Sequence, residues 1–195
     1  MVKKIIPLLI AAAFFASSAT ATVFQVDPNH TQIHFSVQHL VFFKVRGNFN
    51  DFTGTIEAEP DSGQLISAEA TIKAASIDTR KTKRDKHLRS PDFFAVEEYP
   101  EIRFQSTKIT GSGDDITVHG DLTIRGITKK IVLNGAFLGA IKGPKGKLHA
   151  GFEASGTINR KDFGLNWNKL TETGGVVVGD QVEIGLEFES VKAEG

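Results

Sequence analysis

The sequence predicts an all-β chain, closed as an antiparallel barrel rather than packed as a sandwich. Three observations predict it. Apolar and polar residues alternate in run after run, turn signals separate the runs, and the inward positions mix glycine and alanine with phenylalanine. Strict alternation is the mark of a strand with one face buried. A mixed-size inner face leaves room beside bulky groups, and a barrel of about eight strands is wide enough to hold one small ligand.

The N-terminus precedes this pattern. Met1 to Lys4 is a short cationic start, Ile5 to Phe15 is almost wholly apolar, and Ala19-Thr20-Ala21 supplies the small residues that a signal peptidase reads. This predicts a secretory signal peptide over residues 1–21, cleaved after Ala21. The apolar run is shorter than the ~18 residues a membrane span needs. The remaining residues, 22–195, read as a single domain, with no linker, repeat or low-complexity tract to divide them.

Along that domain Ile33, Phe35 and Val37 share one face of a strand, and Gln32, His34, Ser36 and Gln38 share the other. His39 to Lys44 reads as a single helical turn. Along residues 45–58 the apolar parity slips, with Val45, Gly47 and Phe49 on odd positions and Phe52, Ile56 and Ala58 on even ones. A one-residue slip turns every later side chain over, so a β-bulge is predicted near Asn50-Asp51. Ala68, Ala70, Ile72 and Ala74 form the next inward set, and a second slip separates Ala74 from Ile77. Bends of this kind help close a sheet on itself.

The stretch DTRKTKRDKHLRSPDFF, residues 78–94, breaks the alternation. It predicts a helix over Thr79 to Arg89, capped by Asp78 or Thr79 and stopped by Pro91. Asp85 lies four residues from both Lys81 and Arg89, a spacing that allows ion pairs. Arg84 and Leu88 share the opposite face, turned toward the barrel, and Phe93-Phe94 anchors the segment as a plug at the barrel end.

Alternation then resumes in four sets: Ile116 to Ile124, Ile131 to Phe137, Leu148 to Ile158 and Val182 to Phe188. Pro60 to Gly63, Gly111 to Asp114, Arg125-Gly126 and Lys142 to Gly146 read as the hairpin turns between strands.

Composition narrows the function. The full chain carries 23 basic and 23 acidic residues, and removing Lys3 and Lys4 leaves a net charge of −2. That gives no global electrostatic case for nucleic acid. There is no cysteine, so an exported domain must rest on its core alone. Of the 15 phenylalanines, only Phe14 and Phe15 fall in the leader, against one Tyr and one Trp in the whole chain. Phenylalanine has no polar handle. This choice points to a dry interior and away from a surface that stacks sugars or bases, so a sugar- or peptide-binding outer face ranks low.

The titratable groups do not assemble a recognisable reaction. His30 and His34 share a strand face from which His39 turns away, so three metal ligands do not converge. His119 and Asp121 lie on a polar strand face with no nucleophile motif beside them. Gly143-Pro144-Lys145-Gly146-Lys147 lacks the spacing of a phosphate loop. The reading is therefore no catalytic residue, no metal and no cofactor.

Several spaced motifs nonetheless stand in a recognisable order. They are Asp27-Pro28-Asn29-His30-Thr31 followed by Ile33, Phe35, Val37 and His39; Val45-Arg46-Gly47-Asn48-Phe49 with Phe52-Thr53-Gly54; Asp78-Thr79; Arg84 to Leu88; Asp92-Phe93-Phe94; Tyr99-Pro100 with Phe104; His119-Gly120 with Leu122 and Gly126; and Asn159 to Gly164. Together they resemble the YceI-like, polyisoprenoid-binding family over essentially the whole of residues 22–195. The resemblance implies an eight-stranded antiparallel, lipocalin-like barrel with a short helix in the connection around residues 79–94. It implies non-covalent binding of a polyisoprenoid or similar apolar chain, such as an isoprenoid quinone, prenyl lipid or fatty amide, in the periplasm. Ala95 and Gln181 depart from the family pattern, each standing where an acid is common. The early Gly-x-Trp of true lipocalins is absent, the one tryptophan being Trp167.

On this reading the chain lies against Ile33, Phe35, Val37, Phe49, Ile72, Phe104, Leu122, Leu133, Phe152 and Phe188, with Phe93 and Phe94 closing the end. His30, Arg84 and His87 are the candidate headgroup contacts. The expected role is transport or storage. The alternative is an enzyme acting on a lipid or quinone through a mouth histidine, His30, His87 or His119. Peripheral contact with an anionic membrane through Lys83 and Lys86 is one expected partnership, and a homodimer another.

Overall fold

The alternating runs form eleven strands among the described residues, which are 21–169 and 177–194 of a computed structural model. Residues 1–20 of the predicted leader lie outside them. The strands are β1 (Thr22–Val26), β2 (Gln32–His39), β3 (Phe43–Phe49), β4 (Phe52–Glu59), β5 (Gln64–Lys73), β6 (Ile77–Asp78), β7 (Glu101–Ser112), β8 (Asp115–Ile124), β9 (Ile127–Lys142), β10 (Leu148–Asn159) and β11 (Val178–Lys192). The helix α1 spans Thr82–Arg89.

Eight strands close a circuit in the order β1-β4-β5-β7-β8-β9-β10-β11 and back to β1, every pair antiparallel. The all-β, eight-stranded barrel is thus the observed fold. One edge of β11 is shared, Ser190–Lys192 pairing with β1 and Val178–Glu187 with β2. The hairpin β2–β3, with the short β6 on its far side, extends the wall beyond the closed circuit.

The parity flip before Phe52 is real, but it is an interruption between strands rather than a bulge within one. β3 ends at Phe49 and β4 starts at Phe52. Between them the Asn50 N–H donates to Ser76, and the Asp51 carbonyl accepts from the Lys73 N–H at 2.9 Å. The chain crosses here from pairing with β6 to pairing with β5. The second slip is the short 3-10 turn Ala74–Ser76. The four hairpin turns fall where the sequence places them. At Arg125-Gly126 both residues have positive φ, 51° and 70°, as a two-residue primed turn demands. His39 to Lys44 is not a helical turn: β2 runs through His39, β3 starts at Phe43, and Leu40–Phe42 make a hairpin turn.

The helix starts three residues later than its sequence pattern suggests. Arg80 has φ 61°, which takes the chain out of the helical path, and its N–H is taken by the Asp78 carboxylate at 2.7 Å. Asp78 therefore closes a turn, and Lys81 holds the N-cap position without a side-chain cap. Ser90, before Pro91, is extended and ends the helix, as a residue preceding proline must. The expected Lys81–Asp85–Arg89 ion pairs do not form. Asp85 is buried and serves Thr79, while Arg89 donates to the carbonyls of Ala75 and Ile77 at 2.7 and 2.6 Å.

Two apolar clusters fill the barrel, one near α1 around Phe49, Ile77 and Phe163, the other at the far end around Phe24, Ile116 and Phe152. Phe104, Ile131, Leu186 and Phe188 pack against both. Part of the room expected beside small inward residues is already taken. A Cβ on Gly120 would meet the Phe104 ring at 2.3 Å, and one on Gly47 would meet Phe35 at 2.6 Å. These glycines exist so that the rings can lie over the strand backbone.

Candidate functional site

A cavity of about 220 Å³ runs between the two clusters, lined by side chains from strands all round the barrel and by α1. This lies just below the ~300–1,000 Å³ of ordinary small-molecule pockets, a size that suits a slim chain better than a bulky ring system. All twelve residues expected to meet an apolar chain border it. Ile33, Phe35, Val37 and Phe49 come from β2 and β3; Ile72, Phe104, Leu122 and Leu133 from β5, β7, β8 and β9. Phe152 and Phe188 come from β10 and β11, and Phe93 and Phe94 from the segment after α1. Leu88 joins them from α1 itself. Alternation is what brings them together, with bulges in β5 and β7 turning the parity over once in each.

The plug is held by aromatic edges and by arginines. Phe94 meets Phe49 edge-on at 5.8 Å, and Phe93 meets Trp167 at 5.2 Å. Arg125, from the β8–β9 turn, donates to the Phe93 carbonyl at 2.8 Å. Trp167, which the sequence left without a role, thus packs over the barrel end with His87 at 4.9 Å.

Four polar residues border the cavity from outward parity: His34, Thr53, Glu69 and Glu153. Arg160 is different. Only 3% exposed, it reaches the cavity wall with every donor committed. Nε donates to the Gly179 carbonyl at 2.8 Å and Nη1 to the carbonyls of Leu165 and of Trp167, the latter at 2.9 Å. Nη2 reaches the Val178 carbonyl at 3.3 Å and the Asp180 carboxylate at 3.4 Å. Burial lowers its pKa and Asp180 partly restores it. Sequence reasoning gave Arg160 no role, although a signal was there: it lies two residues after inward Ile158, so a charge falls on the inner face.

None of the expected headgroup residues lines the cavity. Arg84 donates to the Thr79 hydroxyl at 2.7 Å and the Thr79 carbonyl at 2.8 Å. His87 sits between Phe93 and Trp167 with Nε2 2.9 Å from Asp92. His30 is in the β1–β2 connection, its Nδ1 2.9 Å from the Asp27 carboxylate and 4.0 Å from Glu189. Asp27, His30 and Glu189 bring ligand-type atoms within 4.8 Å of one another, and His149 binds the far side of Glu189 at 2.9 Å. The hydrogen bond to Asp27 raises the His30 pKa, and the same bond lowers that of Asp27. This is an ion-pair cluster tying the β1–β2 turn to β11. His119 lies on β8 between inward Val118 and Gly120.

The chain is similar to known proteins over nearly all of its barrel. A UPF0312 protein of Photorhabdus laumondii is 43% identical over 167 residues, covering 84% of this chain and 87% of that protein. The crystal structure of the Campylobacter jejuni YceI protein superposes with a TM-score of 0.71 at 34% identity, covering 80% of this chain and 90% of that one. A domain from Saccharophagus degradans, described as polyisoprenoid-binding, shares the fold with a TM-score of 0.63 at 14% identity, covering 88% and 99%. Residues 24–190 match the YceI-like domain, and the chain belongs to that family.

Proposed function

We propose that the protein holds a long apolar chain, of polyisoprenoid or similar type, in its barrel and carries or stores it in the periplasm. The observation that carries this reading is a lengthwise cavity whose inward side chains are apolar apart from Arg160, itself fully hydrogen-bonded to the protein. Such a site offers a ligand no free polar contact. It gains affinity by removing methylenes from water, at roughly 0.8 kcal/mol each. Selection then rests on width and length, and a polar head stays outside. The likeness in fold to the Saccharophagus degradans domain supports the ligand class. The cationic start, apolar run and Ala19-Thr20-Ala21 site support export.

Organic extraction of protein purified from its native host, followed by mass spectrometry, tests the reading. A co-purified apolar chain, with a mature N-terminus at Thr22, is the expected result. Protein that yields no such chain, and stays empty when offered isoprenoids or fatty amides, contradicts it.

A further inference from the structure

The geometry points to the tip of the β2–β3 hairpin as a membrane foot, which seats the barrel mouth on an anionic lipid bilayer. Passage of the chain from bilayer to barrel rests on the carrier reading; the docking itself does not.

Leu40, Val41, Phe42 and Phe43 are consecutive and exposed, at 38, 54, 87 and 65%. Four such side chains in a row are far beyond the isolated exposed apolar residue that needs no explanation. The backbone is strained to present them. Leu40 and Val41 have φ 49° and 67°, a region that branched L-residues avoid, and no glycine relieves the turn.

The tip also continues the cavity. Across the hairpin Ile33 pairs with Phe49, Phe35 with Gly47, Val37 with Val45 and His39 with Phe43. Alternation therefore puts Phe43 on the same face as cavity-lining Phe49, prolonging that row past the end of the barrel. At the opposite end Phe24 and Ser190 are fully buried, at 0% exposure. The lining residues toward the hairpin tip, Phe35, Val37, Val178 and Val182, are only half-buried, so among the described residues the lining is least covered on that side.

Charge supplies the partner. A Cβ on Gly47 of β3 would meet Thr79 at 2.8 Å, and β6 runs antiparallel to β3, so the chain leaves Thr79 in the direction of the tip with Arg80 and Lys81 leading. Arg80, Lys81, Lys83 and Lys86 are exposed there and, among the described residues, make no ion pair. Arg84 and Arg89, by contrast, are spent on Thr79 and on backbone carbonyls. An apolar tip with free cations on the segment that runs toward it suits anionic headgroups over acyl chains. A second copy of this chain would bring the same cations against one another.

Flotation with vesicles of phosphatidylcholine plus phosphatidylglycerol, and of phosphatidylcholine alone, tests the foot. Wild-type protein is expected to float with the anionic vesicles. F42S/F43S should bind at least about tenfold more weakly, given the apolar area removed. K83E/K86E should lose only the preference for anionic lipid. F42W should bind and shift its emission to the blue. Flotation of F42S/F43S at the wild-type level, or an unshifted F42W, overturns the proposal. So does a native mass spectrum in which F42S/F43S merely converts a dimer to a monomer, since the tip then covers a second copy. Loading the protein with an apolar chain in vesicle-free solution separates the two readings. Docking without loading removes the carrier and leaves the foot, and loading without docking removes the foot alone.

Discussion

The Thr79 N–H donates to the Asp85 carboxylate at 2.9 Å, and the Thr79 hydroxyl donates to the same oxygen at 2.5 Å. Both residues are buried, at 4% and 6% exposure. Asp85 thus reaches back from α1 to fasten the turn before it, and Arg84 grips the other side of Thr79. This knot sets the angle at which Leu88, Phe93 and Phe94 enter the barrel.

Replacing Asp85 with Ala leaves a buried N–H and hydroxyl without an acceptor. We expect a loss of about 1–3 kcal/mol in urea denaturation, with Asp85→Asn milder because it keeps an oxygen. Amide exchange over residues 79–94 should quicken more than in β8 and β9, which are not attached to the knot.

Arg160 ties the segment after β10 to the start of β11. Arg160→Ala removes the side-chain donor to the carbonyls of Leu165, Trp167 and Gly179, while Val178 keeps that of Asn168. A cost of about 3 kcal/mol or more is expected. Arg160→Lys should recover only a fraction of it, because an ammonium cannot match the planar fork. If Arg160→Lys melts like wild type, bidentate geometry is not what holds this end.

The Asp27–His30 pair predicts a modest pH dependence. His30 has a raised pKa in the fold, so its contribution is full below the ordinary histidine range and is lost as pH rises through the raised value. Asp27 has a lowered pKa, so its contribution is full above the ordinary carboxylate range and is lost as pH falls through the lowered value. The pair therefore favours the fold most in the mildly acidic window between the two. Melting temperatures of wild type and His30→Gln should differ most in that window and converge at alkaline pH.

Strand parity was the legible part of this molecule. Leu122, Leu133 and Phe152 could be placed inward because each belongs to a long unbroken alternation, and the flip between Phe49 and Phe52 was visible for the same reason. What periodicity could not show is how polar groups are spent. Asp85 has good spacing for surface ion pairs, yet a buried acceptor for Thr79 was needed more, and Arg89 found carbonyls. Gly47 and Gly120 read as empty space because a sequence does not reveal which ring leans over them. The Leu40–Phe43 tip read as a helical turn because its left-handed residues carry no glycine to announce them.

The most direct test of the barrel as a container is native mass spectrometry of delipidated protein offered a polyisoprenol, alongside Ala154→Phe. Ala154 lines the cavity on β10, between Gly135 on β9 and Leu186 on β11, so a phenyl group there fills the space a chain needs. Overpacking is expected to cost about 1–3 kcal/mol and leave the barrel folded. One polyisoprenol per wild-type protein, and none on the folded variant, is the expected result. Equal loading of both would place the chain outside the barrel and contradict it.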